Sequence, residues 1–116
     1  YYNVRDLDRA LAFYKDVLGL PLSSHDRHFA AFDVGGVRLG LHWSGGEPVP
    51  HVARDGHGAY AGGTVTLKVS DIQRAAERLA SSGVRLLGPI SRQRWGSLVP
   101  FEDPDGNVLK LFQSPR

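Results

Sequence analysis

Val4-Arg5-Asp6-Leu7-Asp8-Arg9-Ala10 returns later in the chain as Val69-Ser70-Asp71-Ile72-Gln73-Arg74-Ala75, at a constant offset of 65. Each phrase opens a helix-like segment that stops at a glycine, Gly19 in the first copy and Gly83 in the second. A second echo follows: Asp33, Gly36, Leu39 and Leu41 correspond to Asp103, Gly106, Leu109 and Leu111 at an offset of 70. Two half-domains of one plan therefore stand in tandem. A half of roughly 55 residues buries little core alone, so the halves are expected to pack together, within one chain or across a dimer.

The length of 116 residues suits one domain, 1–116, with a first module of about 1–43, a linker at 44–63 and a second module of about 64–116. A hydrophobic share of 41% is enough for a core. Fourteen basic against twelve acidic residues leave a net charge of only +2, without long runs of one sign. Nucleic acid is therefore not an expected partner. No apolar stretch approaches the roughly 18 residues of a membrane span, and no signal peptide is visible. Cysteine is absent, which removes disulfides, thiolate nucleophiles and cysteine metal sites. A cytoplasmic location is expected. Methionine is absent too, and the chain is expected to open at Tyr1-Tyr2 part-way along a first strand.

The spacing predicts a helix from about Leu7 to Leu18, with Asp6 as its N-cap and an apolar stripe of Leu7, Ala10, Leu11, Tyr14, Val17 and Leu18. A second helix is predicted from about Ile72 to Ser81, with Ile72, Ala75, Ala76 and Leu79 as its stripe. Strands are predicted at Leu22–His25, His28–Val34, Val37–Trp43, Thr64–Val69, Val84–Leu87, Ser97–Glu102 and Val108–Gln113. Asp33-Val34-Gly35-Gly36 and Asp103-Pro104-Asp105-Gly106 read as hairpin turns. Each half then reads strand, helix, strand, strand, strand, an α+β plan of two βαβββ modules. The polar Gly/Pro-rich stretch from Ser44 to Gly63 links them.

Alternation along the strands sorts the residues by face. Val65, Leu67, Val69, Leu39, Leu41, Leu109 and Leu111 are expected to face the helices. The helix-free face is then lined by Tyr1, Asn3, Arg38, Gly40, His42, Thr64, Thr66, Lys68, Val108, Lys110 and Phe112. Aromatic rings, gaps and polar or cationic tips are mixed there, as in a pocket for a small molecule.

The opening phrase from Val4 through Phe13-Tyr14-Lys15-Asp16-Val17-Leu18-Gly19-Leu20-Pro21 resembles the start of the vicinal oxygen chelate superfamily. That superfamily contains glyoxalase I, the bleomycin-resistance proteins, fosfomycin-resistance enzymes and extradiol dioxygenases. Trp95-Gly96 and Phe101-Glu102-Asp103-Pro104-Asp105-Gly106-Asn107-Val108-Leu109 resemble its closing hairpin. The resemblance spans nearly the whole chain and implies paired βαβββ modules whose sheets curl around a cavity. In metal-dependent members it implies a divalent ion held from the first and last strand of each module. Carried over one at a time, those positions fall on Gly40, Thr64, Lys110 and a residue just upstream of Tyr1. Lysine is a cation, glycine has no side chain and neutral threonine is a poor ligand for such an ion. No metal and no cofactor are therefore expected, and the chain looks closest to the metal-free, bleomycin-resistance-like branch.

His42 lies on the same strand face two residues beyond Gly40, but no second ligand accompanies it convincingly. His25 and His28 flank a turn, His51 and His57 sit in the linker, and Asp103 with Asp105 is turn chemistry, not an acid/base pair. Trp95-Gly96 resembles the loop that borders the cavity in the antibiotic-binding branch, where an indole can stack on a flat ligand.

Three functions follow as expectations. The first is metal-independent sequestration of a flat aromatic or antibiotic-like molecule by Tyr1, Asn3, Arg38, Gly40, His42, Thr64, Thr66, Lys68, Trp95, Lys110 and Phe112, with no catalytic residue. The second is a metal-dependent lyase or dioxygenase with an altered ligand set. The third is a metal-free enzyme using Lys110 or His42. The resemblance also implies a homodimer, with modules exchanged between subunits as one arrangement.

Overall fold

The computed structural model describes residues 1–49 and 64–115. Most of the predicted linker, with His51 and His57, lies outside the described residues. The chain divides into two compact units, Tyr1–His51 and Val52–Arg116. Each holds one four-stranded mixed sheet and helical structure, so the fold is α+β and repeats a βαβββ plan.

In the first unit the elements are β1 (Tyr2–Val4), α1 (Leu7–Leu11), a π-helical continuation (Ala12–Val17), β2 (Leu22–His25), β3 (Phe29–Val34) and β4 (Val37–Trp43). The sheet order is β1-β4-β3-β2, with β1 parallel to β4 and the other pairs antiparallel. Asp6 caps α1 by accepting the Arg9 N–H at 3.1 Å, one of the donors a helix start leaves without an internal partner.

The single helix predicted from Leu7 to Leu18 is a correction: it widens after Leu11, and the Leu18 N–H reaches back five residues to the Phe13 carbonyl at 2.9 Å. The reason lies in packing. Phe13 and Tyr14 are both buried, edge to face at 5.1 Å, with Tyr14 also against Phe32. A wider turn turns two consecutive rings inward, and a stripe of period 3.6 does not anticipate that.

Gly35 and Gly36, with φ of 59° and 87°, make the two-residue turn between Val34 and Val37. Such a primed turn needs left-handed backbone at both positions and matches the twist of the strands it joins. It sets the β3–β4 register from Val34↔Val37 to Phe29↔His42.

In the second unit the elements are β5 (Val65–Lys68), α2 (Ile72–Ser81), β6 (Ser91–Gln93), β7 (Gly96–Glu102) and β8 (Val108–Gln113), with sheet order β5-β8-β7-β6. Asp71 caps α2 as Asp6 caps α1, by accepting the Arg74 N–H at 3.1 Å. The Gln113 side-chain carbonyl accepts the Ile72 N–H at 2.8 Å, tying the start of the helix to β8. The two parallel pairings are equivalent: Tyr2↔Leu41 in the first unit becomes Leu67↔Leu111 in the second, by the offsets of 65 and 70 read from the sequence.

The predicted strand Val84–Leu87 is a second correction. Only Leu86 bridges, to Phe101, flanked by bonds from the Leu87 N–H to the Pro100 carbonyl and from the Glu102 N–H to the Arg85 carbonyl. Pro100 has no N–H to return the bond to Leu87, and Gly88-Pro89 then breaks the run. The second strand of this module is instead Ser91–Gln93, shifted along β7. Thr64 precedes β5, which starts at Val65.

The cores are apolar; Leu39, Leu41, Leu109 and Leu111, which alternation turned toward the helices, are buried, whereas Val65, Leu67 and Val69 are only half-buried. Val4, Phe32, Leu39 and Leu41 are buried in the first unit, and Ile72, Val99, Phe101, Leu109 and Leu111 in the second. Each such side chain contributes about 1.5–3 kcal/mol by leaving water. Val108 shares a strand face with Lys110 and Phe112 yet is buried, a further correction: alternation sets the face and not what covers it.

Candidate functional site

The helix-free face of the first unit gathers four side chains around Gly40. The Tyr1 ring stands 5.7 Å from the His42 imidazole. The Arg38 guanidinium lies 5.5 Å from the centre of the Phe29 ring, within cation–π range. A Cβ on Gly40 would fall 2.5 Å from the Phe29 ring and 3.1 Å from the Tyr1 Cβ, so the missing side chain is what lets the two rings approach. Asn3 pairs in register with His42 on this same face.

The sequence reading missed Phe29. The signal was present: a two-residue turn at Gly35-Gly36 forces Phe29 opposite His42.

The second unit holds the other predicted residues. Across its parallel ladder Thr66 stands beside Lys110 and Lys68 beside Phe112. The Trp95 indole stacks on the Phe112 ring, 6.4 Å between centroids and 12° between planes, and is 58% exposed. Gly96 makes this possible. It has φ of 141°, and a Cβ there would meet the Phe112 ring at 2.5 Å and the Gln113 backbone carbonyl at 2.7 Å. Glu102 lies on this face too and pairs with Arg85 at 3.3 Å. Gly96→Ala is expected to lower stability by about 2 kcal/mol, since the backbone strains and a ladder carbonyl cannot step aside. Thermal unfolding checks the loss, and near-UV circular dichroism reports the displaced Trp95–Phe112 pair.

Asp103 and Asp105 belong to the turn, as expected: the Asp103 carboxylate accepts the Asp105 and Asn107 N–H groups at 2.9 Å each. His25 and His28 are exposed, and the His28 ring packs against Trp43 at 5.6 Å. Trp43 shares its face with Val4 by register, and its Nε1–H donates to the Arg5 carbonyl at 3.1 Å. It lines a separate open cleft of about 970 Å³ in the first unit with Arg5, Arg9, His25, Asp26 and Arg27. In that cleft the Asp26 carboxyl is held below the usual carboxylate range, chiefly by the His28 N–H, then by the Phe29 N–H that it also accepts.

A divalent ion does not fit the positions that resemblance assigned to it. The side-chain space of Gly40 is filled by Phe29. Lys110 offers an ammonium, and Thr64 a hydroxyl at the edge of a strand. Among the described residues no three His, Cys, Asp or Glu side chains gather into a set that could hold a metal ion.

The family model of the Glyoxalase/Bleomycin resistance protein/Dioxygenase superfamily matches residues 2–111. The chain belongs to this superfamily. It is 30% identical to YraH of Bacillus subtilis (strain 168), an uncharacterized protein, over 95% of this chain and 91% of YraH. It is 28% identical to the metallothiol transferase FosB of Lysinibacillus sphaericus (strain C3-41), over 95% of this chain and 76% of FosB. Among solved structures, lactoylglutathione lyase from Agrobacterium tumefaciens superposes with a TM-score of 0.71 at 21% identity, covering 97% of this chain and 90% of that one. That likeness is one of fold. Among the described residues no helix of this glyoxalase-superfamily chain is long and apolar enough to cross a membrane.

Proposed function

We propose that this member of the glyoxalase superfamily binds a flat aromatic or antibiotic-like small molecule without a metal ion. The observation that carries the reading is the exposed Trp95–Phe112 stack, set among Thr66, Lys68 and Lys110. A large aromatic surface left open to water is unfavourable unless something covers it, and flat π-systems are the surfaces that fit. The Tyr1, Phe29, Arg38 and His42 cluster offers a second aromatic surface of the same kind. Gly40, Thr64 and Lys110, which together do not make a ligand set, support independence from metal. We also propose a cytoplasmic homodimer in which the predicted residues of each unit's helix-free face, with Phe29 in the first unit, contact such ligands.

The test is a panel of polycyclic aromatics, bleomycin-type compounds among them, added to the full chain in the presence of EDTA. Quenched tryptophan fluorescence and a raised melting temperature are expected for at least one of them. If no compound moves either signal, the reading loses its support.

A second reading rests on the likeness to FosB, whose name marks it as a metallothiol transferase. It is a metal-dependent enzyme with an altered ligand set. Elemental analysis of protein purified without chelator separates the two, because a stoichiometric transition metal supports the enzyme.

A further inference from the structure

We infer that the helix-free face of the first unit selects an arene that bears a carboxylate, with the carboxylate on the Arg38 guanidinium and the ring against Tyr1 and His42. This rests on the flat-ligand reading above and adds a second binding surface, with the charge of the ligand it takes.

The argument starts from where the Arg38 side chain goes. Its cross-strand neighbour is Asp33, yet its guanidinium lies over the ring of Phe29, four residues further along β3, 5.5 Å from the ring centre. The Asp33 Oδ1 instead accepts the Gly36 N–H in the turn at 3.1 Å. Among the described residues no carboxylate forms an ion pair with Arg38. The cation is therefore held by a ring, and its fork of N–H donors is open to a ligand carboxylate.

The same contacts bring that cation toward the other rings. Four residues of strand separate Arg38 from His42, roughly 13 Å between their stems. Arg38 leans along the sheet to Phe29, the register partner of His42, and so shortens that span. The tip of the Phe29 ring and the Tyr1 Cβ both approach the position of a Gly40 side chain, at 2.5 Å and 3.1 Å. Tyr1 in turn stands 5.7 Å from His42, the planes 49° apart, so the two rings do not cover each other by parallel stacking. Tyr1 is 81% exposed and His42 is exposed.

A neutral flat ligand gains ring contact alone here. A carboxylate attached to the ring adds charge-assisted hydrogen bonds to Arg38, and a cationic group meets like charge. Arg38 is exposed and Asp33 stands across the ladder, so screening and the opposing charge limit the gain. A preference of roughly fivefold for the anion is expected.

The experiment is isothermal titration calorimetry in EDTA at neutral pH, on the full chain and on its Trp95→Ala variant, which removes the aromatic platform of the second unit. Three probes of one shape are compared: 2-naphthoate, 2-naphthamide and 2-naphthylmethylammonium. In the Trp95→Ala chain, naphthoate is expected to bind roughly fivefold tighter than naphthamide, with the ammonium weakest. Added salt is expected to erase most of that preference and to leave naphthamide unchanged. Arg38→Gln in that chain is expected to bring naphthoate down to the naphthamide level, and Arg38→Glu to make the ammonium the tightest of the three. Arg38 is exposed, so neither substitution opens a core cavity.

Equal affinity for acid and amide in the Trp95→Ala chain, or a preference that survives Arg38→Gln, overturns this inference and leaves the flat-ligand reading standing on Trp95 and Phe112. Probes that bind the full chain but not the Trp95→Ala variant do the same. Binding of none of the three probes to the full chain, with none from the wider polycyclic panel, removes the flat-ligand reading and this inference with it.

Discussion

Replacing Asp103 by alanine is expected to lower the melting temperature by roughly 10 °C. Asp103 is 4% exposed and Asn107 6% exposed, so the polar groups between them have little access to water. One carboxylate oxygen accepts the Asp105 and Asn107 N–H groups, and the other accepts the Asn107 side-chain amide, all at 2.9 Å. The backbone closes the same turn: the Asp103 N–H donates to the Asn107 carbonyl at 2.9 Å, and the Gly106 N–H to the Asp103 carbonyl at 3.0 Å. Alanine leaves three donors facing a methyl group. A buried donor without a partner costs about 1–3 kcal/mol, and partial access of water to the turn brings the total to about 3 kcal/mol.

Asp103→Asn is expected to be milder, about 1 kcal/mol, because its oxygen still takes both N–H groups and the Asn107 amide can flip to meet the new NH₂. Thermal unfolding of the two variants, with Asn107→Ala to complete a double-mutant cycle, checks the coupling. An alanine variant that melts with the parent would show that the network contributes nothing. The consequence reaches the site, since this turn sets the β7–β8 register that puts Lys110 opposite Pro100 and Phe112 opposite Leu98.

Trp95→Ala is expected to weaken the flat ligand at least tenfold while shifting the melting temperature little. The indole is more than half exposed, so its removal opens no core cavity. Its partner Phe112 stays seated over Gly96. Loss of an aromatic platform weakens stacking of a planar ring by about 1–3 kcal/mol, a tenfold to hundredfold change in Kd. Trp95→Phe keeps a plane in the same place and is expected to retain most of the affinity. Calorimetry is the measurement of choice, because the variant removes one of the two fluorophores, Trp43 being the other. Unchanged affinity in the alanine variant would move the contact away from this stack and toward the Tyr1–Phe29–His42 cluster.

Much of this was legible from local chemistry. The repeated phrase announced two modules, and the offsets of 65 and 70 reappear as equivalent parallel pairings. Asp6 and Asp71 cap their helices because a short carboxylate before a helix start meets the third N–H of the turn. Strict alternation placed Lys68, Lys110 and Phe112 on one face, since the side-chain period of a strand is two. These are properties of neighbours in the chain, and they are written in the order of residues.

The rest depended on contacts between residues far apart in sequence. The π-helical turn follows from the demand to bury Phe13 beside Tyr14, and Tyr14 against Phe32. Strand Ser91–Gln93 has three exposed residues and no apolar pattern; it exists because the start of β7 offers an edge to pair with. Phe29 over Gly40, and Trp95 against Phe112 over Gly96, are meetings of side chains across a sheet. The sequence alone determined most of the elements and which face each strand residue takes, because hydrogen-bonding geometry and side-chain period act over a few residues. Only the tertiary structure decided which rings touch, because that depends on how neighbouring strands fill the space a glycine leaves.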